Sequence, residues 1–450
     1  MTDAVETRDA EGRGRLYRML WRWHFYAGLI CIPFVIWLAV TGSIYLFRPQ
    51  IDAWVDRDVA VLERAGKPAT QEAIVAAATA AIPGSTLAGI MLPEYPDQAA
   101  RVLVSDHGAR TRVYLHPDTL AVIRTVSEDS TWDKIVQKLH GELLIGNTGS
   151  IIVELAASWA IVMVLTGLYL WWPRSAKGLG GVLYPRLGRG AKRFWRDLHA
   201  VVGVWVSVFA LFLLIAGMPW ALVWGNGFKM VRDWTGTAPI SKDWFTSSAD
   251  EHAEHMRQDA GAMSHAEHMN HLAAPLGTIV AKAEALKLAS PVILTPPTKA
   301  SPYWWVKSNA QNRPQREDVA LSPMTGDVAL RNTFDGKHII DQIVGYGIAA
   351  HEGQLFGPVN QVLGVLTALG LVMLCVSAFI MWRRRAPEGV LGAPPPIPDA
   401  RIGLGLAAII VVAAILLPVL GVSLMVLGLL EYGALRRWPA ARRWLGLQPA

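Results

Sequence analysis

Five long stretches of this chain contain no Asp, Glu, Lys or Arg. Each stretch can supply the roughly 20 apolar residues that a helix needs to cross a bilayer. Tryptophans lie at several stretch ends, as they do at membrane interfaces. The pattern therefore predicts a membrane protein with several spanning helices. The stretches lie between Arg22 and Arg48, Glu154 and Arg174, Asp197 and Lys229, Glu352 and Arg383, and Arg401 and Glu431.

Two long polar segments separate the apolar stretches, and each has the pattern of a small α+β domain. In the first, an Ala-rich helix is predicted at 71–82, with strand-like alternation at 101–104, 112–115 and 120–123. In the second, the helix is predicted at 278–288 and the strands at 303–306, 319–321 and 328–330. The chain thus repeats helix, α+β domain, helix. This predicts a mainly α membrane protein with a four-helix core of two parallel repeats.

The basic residues are concentrated in three places, although only 17% of the chain is charged and the net charge is +6. They precede the first apolar stretch, fill the loop between the second and third, and follow the fourth. The positive-inside rule places these segments in the cytoplasm and both polar domains on the outer side. The basic surplus therefore reflects topology, and we expect membrane lipid but no nucleic acid as a partner.

These patterns divide the chain into a cytoplasmic tail, four spanning helices, two outer domains and a C-terminal apolar region. Pro418 splits the C-terminal region, so it is either one helix or a short hairpin, and whether it crosses the membrane stays open. The predicted segments are 1–20 (tail), 21–48 (helix), 49–147 (first outer domain), 148–173 (helix), 174–197 (basic loop), 198–225 (helix), 226–355 (second outer domain), 356–383 (helix), 384–400 (linker), 401–432 (apolar helix or hairpin) and 433–450 (basic tail).

Four histidines occupy matching places in the two repeats, next to the spanning helices. Ionisable groups at such positions usually serve a pathway or a cofactor, and facing imidazoles are a common way to hold haem. His24 and His199 lie at the cytoplasmic ends of helices one and three, whereas His140 and His351 lie on the outer side. A pair within one repeat would have to reach across about 30 Å of hydrocarbon. The feasible pairs are therefore His24 with His199 and His140 with His351.

Two such pairs predict two haems of b type, since no Cys-x-x-Cys-His motif is present for covalent attachment. Arg22 and Arg196 precede the two inner histidines and could pair with haem propionates, or could simply follow the positive-inside rule. Glu142 and Glu352 follow the outer histidines closely. They could orient a ligand, relay protons, or be solvated interfacial carboxylates.

An insertion at 247–274 in the second domain is rich in histidine and methionine. Imidazole and thioether together suit copper, although such polar tracts also bind metals opportunistically. The candidate ligands are His252, His255, His265, His268, His271, Met256 and Met269.

The chain resembles the PepSY-associated transmembrane family, which includes iron-regulated ferric-siderophore reductases. The resemblance lies in 21–28, 194–199, 139–143, 351–353 and the turns at Pro117 and Pro323. It implies a bacterial inner-membrane protein with periplasmic PepSY domains and haem-dependent reduction of ferric chelates. The insertion departs from the family pattern.

Together these features predict a di-haem reductase that passes electrons to a periplasmic ferric chelate. Its electron donor would be a separate cytoplasmic molecule or a quinol, because no flavin or nicotinamide domain is recognisable. The aromatic patch Tyr303-Trp304-Trp305 either contacts the chelate or belongs to a strand core. Two alternatives stay open: a copper-linked reductase or copper-handling protein that uses the insertion, and a non-enzymatic regulator of a periplasmic protease.

Overall fold

The computed structural model describes residues 2–174, 178–188, 190–238, 274–299, 301–395 and 402–447. The chain divides into two compact units. Unit one comprises residues 1–43, 138–231 and 362–450, and unit two comprises 44–137 and 232–361. Both polar segments of the sequence therefore contribute to the same unit.

The described helices follow the apolar stretches and the amphipathic segments beside them. Four of them are long and apolar enough to cross a membrane, with spans at 14–46, 146–171, 191–220 and 358–385. In chain order the helices are α1 (Thr2–Leu46), α2 (Arg48–Val55), α3 (Arg57–Ala60), α4 (Gln71–Ala81), α5 (Trp132–Glu142), α6 (Gly146–Trp171), α7 (Ala191–Gly217), α8 (Leu222–Trp234), α9 (Leu276–Ala285), α10 (Ile339–His351), α11 (Pro358–Arg385), α12 (Leu404–Leu416), α13 (Pro418–Gly433) and α14 (Pro439–Trp444).

The C-terminal apolar region of unit one forms a helical hairpin, α12 and α13. Pro418 begins α13, where a proline costs no hydrogen bond because the first amides of a helix have no partner within it. The 13 and 16 residues of α12 and α13 give lengths of about 20 and 24 Å, less than the roughly 30 Å of a full span. The Trp159 indole of α6 donates to Ser423 Oγ of α13 at 3.1 Å, which fixes the hairpin against the bundle.

Unit two contains one antiparallel sheet of eight strands in the order β4-β3-β2-β1-β5-β6-β7-β8. The sequence predicts two α+β domains but not their joining: the two halves meet in one sheet where Ile90 pairs with Leu294 and Met91 with Ile293. The strands are β1 (Thr86–Met91), β2 (Ala100–Asp106), β3 (Ala109–Leu115), β4 (Val122–Ser127), β5 (Val292–Thr295), β6 (Trp304–Ser308), β7 (Glu317–Leu321) and β8 (Val328–Thr333).

The two halves of the sheet are built in the same way. Each has a helix, α4 or α9, whose apolar side chains pack against strands of the same half, and the cluster around α9 also includes Ile90 of β1. In each half the chain before the helix donates a backbone hydrogen bond to a turn proline, Ala69 to Pro117 and Ala274 to Pro323, both at 2.9 Å. Trp304 packs against the core of the second half, which favours the strand-core interpretation of the aromatic patch.

Candidate functional site

His24 and His199 face each other inside unit one. His24 projects from α1 and His199 from α7, and their ring centres lie 6.4 Å apart with an angle of 82° between the planes. Two imidazoles on opposite sides of one metal ion, each about 2 Å from it, have ring centres roughly 6 Å apart. The spacing therefore fits two axial ligands of one iron.

A helix that carries no histidine supports each of these rings through Nδ1. His24 Nδ1 donates to the Met163 carbonyl of α6 at 3.0 Å and lies 3.2 Å from Thr166 Oγ1. His199 Nδ1 lies 3.0 Å from Ser377 Oγ of α11. Metal-binding histidines commonly engage their second ring nitrogen in this way. The arrangement leaves Nε2 of each ring as the nitrogen that a metal ion would use.

Glycines near both rings allow the surrounding helices to pack closely. Gly28 and Gly203 each follow their histidine by four residues and so lie on the same helix face. A Cβ built on Gly167 would lie 3.0 Å from His24 Cε1, closer than ordinary van der Waals contact. A Cβ on Gly28 would meet Met163 Sδ at 3.7 Å, and one on Gly203 would meet Leu374 Cδ2 at 3.6 Å, so these glycines let α6 and α11 lie close to the helices that carry the histidines.

His140 lies at the C-terminal end of α5 and is held by α1. Its Nδ1 is 2.9 Å from Thr41 Oγ1, and the Trp37 indole donates to the carbonyl of Leu139 at 2.8 Å. A Cβ on Gly42 would lie 3.2 Å from His140 Cε1. Burial lowers the pKa of His140 to about 4, so the ring is neutral at physiological pH, as metal coordination requires.

A tight junction joins α5 to α6 and thereby sets the position of His140. Leu143, Leu144 and Gly146 all have positive φ angles, of 51°, 60° and 61°. A Cβ on Gly149 would overlap the backbone carbonyl of Glu142, so only glycine allows the first turn of α6 to approach the end of α5. This backbone packing explains the Gly-rich sequence after the histidine.

His351 is the last residue of α10 and belongs to unit two. The neighbouring Glu352 lies 3.9 Å from Arg313 in an ion pair whose members are both largely buried, so the interpretation as a solvated carboxylate is wrong. His140 and His351 lie in different units, and their pairing stays a prediction from the sequence.

Arg22 has protein partners in the structure. Its Nη atoms donate to the carbonyls of Pro394 at 2.5 Å and Gly446 at 2.8 Å, and to the Tyr26 hydroxyl at 3.0 Å. Arg22 therefore ties the C-terminal segment to the turn of α1 that carries His24, and its propionate role stays a prediction.

Arg196 pairs with the buried Asp197, at 3.0 Å between Nη2 and Oδ1. Arg186 binds the same carboxylate with two hydrogen bonds, of 2.6 and 3.0 Å. The two guanidiniums neutralise a buried charge two residues before His199. As with Arg22, the propionate contact of Arg196 stays a prediction.

The predicted copper ligands of the insertion, from His252 to His271, lie outside the described residues. Within the residues that the structure does describe, no group of three or more His, Cys, Asp or Glu side chains is placed to hold a metal ion.

Residues 21–385, which include all four histidines, match the family model described as the PepSY-associated TM region. The chain belongs to the PepSY-associated transmembrane family. A comparison with curated proteins gave no match. The C-terminal hairpin and the segment bound by Arg22 lie beyond the region that this family shares.

The sequence reasoning found the histidines of this family member but missed the hydroxyls beside them, Thr41, Thr166 and Ser377. The sequence did contain a signal for two of these hydroxyls. Thr166 and Ser377 occupy the same position when the ends of the second and fourth spanning helices are aligned. Their role was not recognisable without the packing of α6 on α1 and of α11 on α7.

Proposed function

We propose that this protein is a di-haem membrane reductase that passes electrons across the bacterial inner membrane to a periplasmic ferric chelate. The observation that carries the proposal is the facing pair of His24 and His199, with ring centres 6.4 Å apart and each Nδ1 engaged by a neighbouring helix. Interfacial or capping histidines would have no reason to face each other at this distance.

His140 supports a second haem at a different level of the same bundle. His24 and Thr41, the residue that holds His140, are separated by 17 positions of α1, which corresponds to about 25 Å along the helix. Two sites at this separation would lie near opposite faces of a bilayer about 30 Å thick. In the proposal His351 supplies the other ligand of this outer site, as the sequence predicts.

The protein groups have defined tasks in this scheme. His24 and His199 would hold the inner haem through their Nε2 atoms, while Met163, Thr166 and Ser377 hold the rings in orientation. The apolar surfaces of α1, α6, α7 and α11 exclude water between the two levels. Bound haem would supply one-electron transfer through its iron.

The proposed substrate is a ferric ion held by hard oxygen ligands, as in a siderophore. One electron converts Fe(III) to Fe(II), which oxygen ligands of this kind hold less strongly, so the iron is released. The donor in this scheme is a separate cytoplasmic molecule or a quinol.

Visible spectroscopy of the purified protein tests the cofactor. We expect about two haems that acidified organic solvent extracts, with spectra of bis-histidine b type. His24→Ala and His199→Ala should remove the same spectral component, and His140→Ala and His351→Ala the other. His107→Ala is a matched control, because this side chain is 91% exposed on the β2–β3 turn. A colourless protein from haem-replete cells would refute the proposal and return attention to the regulatory alternative.

Stopped-flow mixing of the reduced protein with a ferric siderophore tests the reaction. We expect oxidation of the haems together with the appearance of Fe(II) trapped by a chromogenic chelator. Haems that stay reduced with ferric siderophores but are oxidised by cupric chelates would favour the copper-linked alternative instead.

The direction of electron flow depends on the topology. A cysteine introduced in the Asp118 turn, at the exposed Thr119, should react with an impermeant reagent added outside, and one at Gly188, in the basic loop, should not. The opposite labelling pattern would reverse the proposed direction.

A further inference from the structure

A serine or threonine hydroxyl lies beside Nδ1 of three candidate ligands. All three hydroxyls are on spanning helices and come from a helix other than that of the histidine they contact. The pairs are Thr166 with His24, Ser377 with His199, and Thr41 with His140, at 3.2, 3.0 and 2.9 Å.

The hydrogen bonds of Thr166 and Met163 fix the tautomer of His24. Thr166 Oγ1 lies 2.8 Å from the Val162 carbonyl and 3.0 Å from that of Met163, and its single proton is directed to its own helix. The hydroxyl can then only accept from His24. The Met163 carbonyl, 3.0 Å from Nδ1, can also only accept. Nδ1 therefore carries the proton, and the lone pair of the neutral ring is on Nε2.

The same assignment of donor and acceptor applies to His199. Ser377 Oγ donates to the Leu374 carbonyl at 2.9 Å, which leaves the hydroxyl oxygen to accept from His199 Nδ1.

His140 has an equivalent support from α1. Thr41 Oγ1 donates to the Trp37 carbonyl at 2.8 Å and is free to accept from His140 Nδ1 at 2.9 Å. Thr41 thus engages Nδ1, and Nε2 is the ring nitrogen left for another ligand.

We propose that Thr166, Ser377 and Thr41 are positioning residues that fix the Nδ1–H tautomer of their histidines and so present Nε2 to iron. This inference rests on the proposed function, because it assigns residues to the same haem sites. A hydrogen bond to Nδ1–H also raises the basicity of the ligand. The three hydroxyls would therefore stabilise the ferric state and lower the midpoint potential of the haem that each supports.

Two residues of the same bundle serve as controls for a purely structural role. Thr367 donates to the Leu363 carbonyl at 2.8 Å, and Ser207 donates to the Gly203 carbonyl at 2.6 Å. Both are buried, and within the described residues neither is hydrogen-bonded to a histidine. Thr367→Val and Ser207→Ala therefore remove the same kind of hydrogen bond, from a hydroxyl to a carbonyl of its own helix, without affecting a candidate haem ligand.

The test is a spectroscopic redox titration of the full-length protein, together with haem retention against a haem-scavenging competitor. We expect Thr166→Val and Ser377→Ala to weaken haem binding at the inner site by about 10- to 100-fold. Each should raise the midpoint potential of that component, and Thr41→Val should do the same at the outer site only. Thr166→Ser, which keeps the hydroxyl, should restore the wild-type potential. Thr367→Val and Ser207→Ala should leave both potentials unchanged.

The outcomes separate this inference from the proposed function. If the wild-type protein binds no haem, the proposed function and this inference both fail. If it binds two haems and Thr166→Val behaves like Thr367→Val in potential and retention, only the positioning role is refuted. If Thr166→Ser changes the potential and the haem retention as much as Thr166→Val does, the loss is due to packing, and the inference is also overturned.

Discussion

Replacing Gly167 with valine should selectively damage the inner haem site. A Cβ at this position lies 3.0 Å from His24 Cε1 and 3.6 Å from Nδ1, and valine adds two methyl groups beyond it. The ring cannot rotate away without losing its hydrogen bonds to Met163 and Thr166. Overpacking of this kind costs about 1–3 kcal/mol. If the strain falls on the ligand, it corresponds to about 5- to 150-fold weaker haem binding.

Haem retention during titration with a scavenging competitor measures this effect, with the two components resolved in reduced-minus-oxidised spectra. The component lost first in Gly167→Val should be the one that His24→Ala removes. Gly428→Val is the matched control, because Gly428 lies in an apolar helix and a Cβ built there has nothing within 4 Å. Equal retention in the two valine variants would refute the steric argument.

Three further predictions concern the junction of α5 and the interior and surface of unit two. Gly149→Ala should displace α5 from α6 and lower occupancy of the outer haem site, measured by the spectrum that His140→Ala also affects. Asp341→Ala should lower the free energy of unfolding by about 3–5 kcal/mol, measured by denaturant titration, because it leaves the buried Arg232 without its carboxylate. The Arg64 guanidinium lowers the pKa of Asp118 below its usual 3.8, so this pair should stabilise the fold above that pH. Its contribution should disappear as the pH falls through the lowered pKa, and Asp118→Asn should show a smaller loss of thermal stability on acidification.

Local sequence patterns predicted most elements of the sheet but not how its halves join. The outer strands alternate clearly, whereas the central strands β1 and β5 do not. Gly89 interrupts β1, and a Cβ there would lie 3.1 Å from Ile293 Cγ2, so the glycine marks the close approach of β5. Strand β5 has only four residues. The pairing of β1 with β5 connects segments about 200 positions apart, and no local periodicity encodes it.

The candidate ligands were predictable because a histidine beside an apolar stretch is unusual and demands a reason. The hydroxyl groups that hold these histidines were not predictable, because a serine or threonine in a spanning helix ordinarily donates a hydrogen bond to a carbonyl of its own helix. Thr166 and Ser377 each donate to a carbonyl of their own helix. The same hydroxyl oxygen can also accept a hydrogen bond, and it is in this second role that it contacts a histidine. This second hydrogen bond depends on the long-range packing of α6 beside α1 and of α11 beside α7, which the sequence pattern does not show.

Arg22 shows why proximity in sequence to a histidine is a weak argument for contact with a cofactor. The positive-inside rule accounts for an arginine at the end of α1, whatever it binds. A guanidinium has five N–H donors in a fixed fork, and two backbone carbonyls and a tyrosine hydroxyl engage its Nη groups. The carbonyls come from Pro394 and Gly446, beyond the region that matches the family. The C-terminal extension thus binds this arginine and holds the helix turn that carries His24, whereas the propionate role suggested by the spacing stays a prediction.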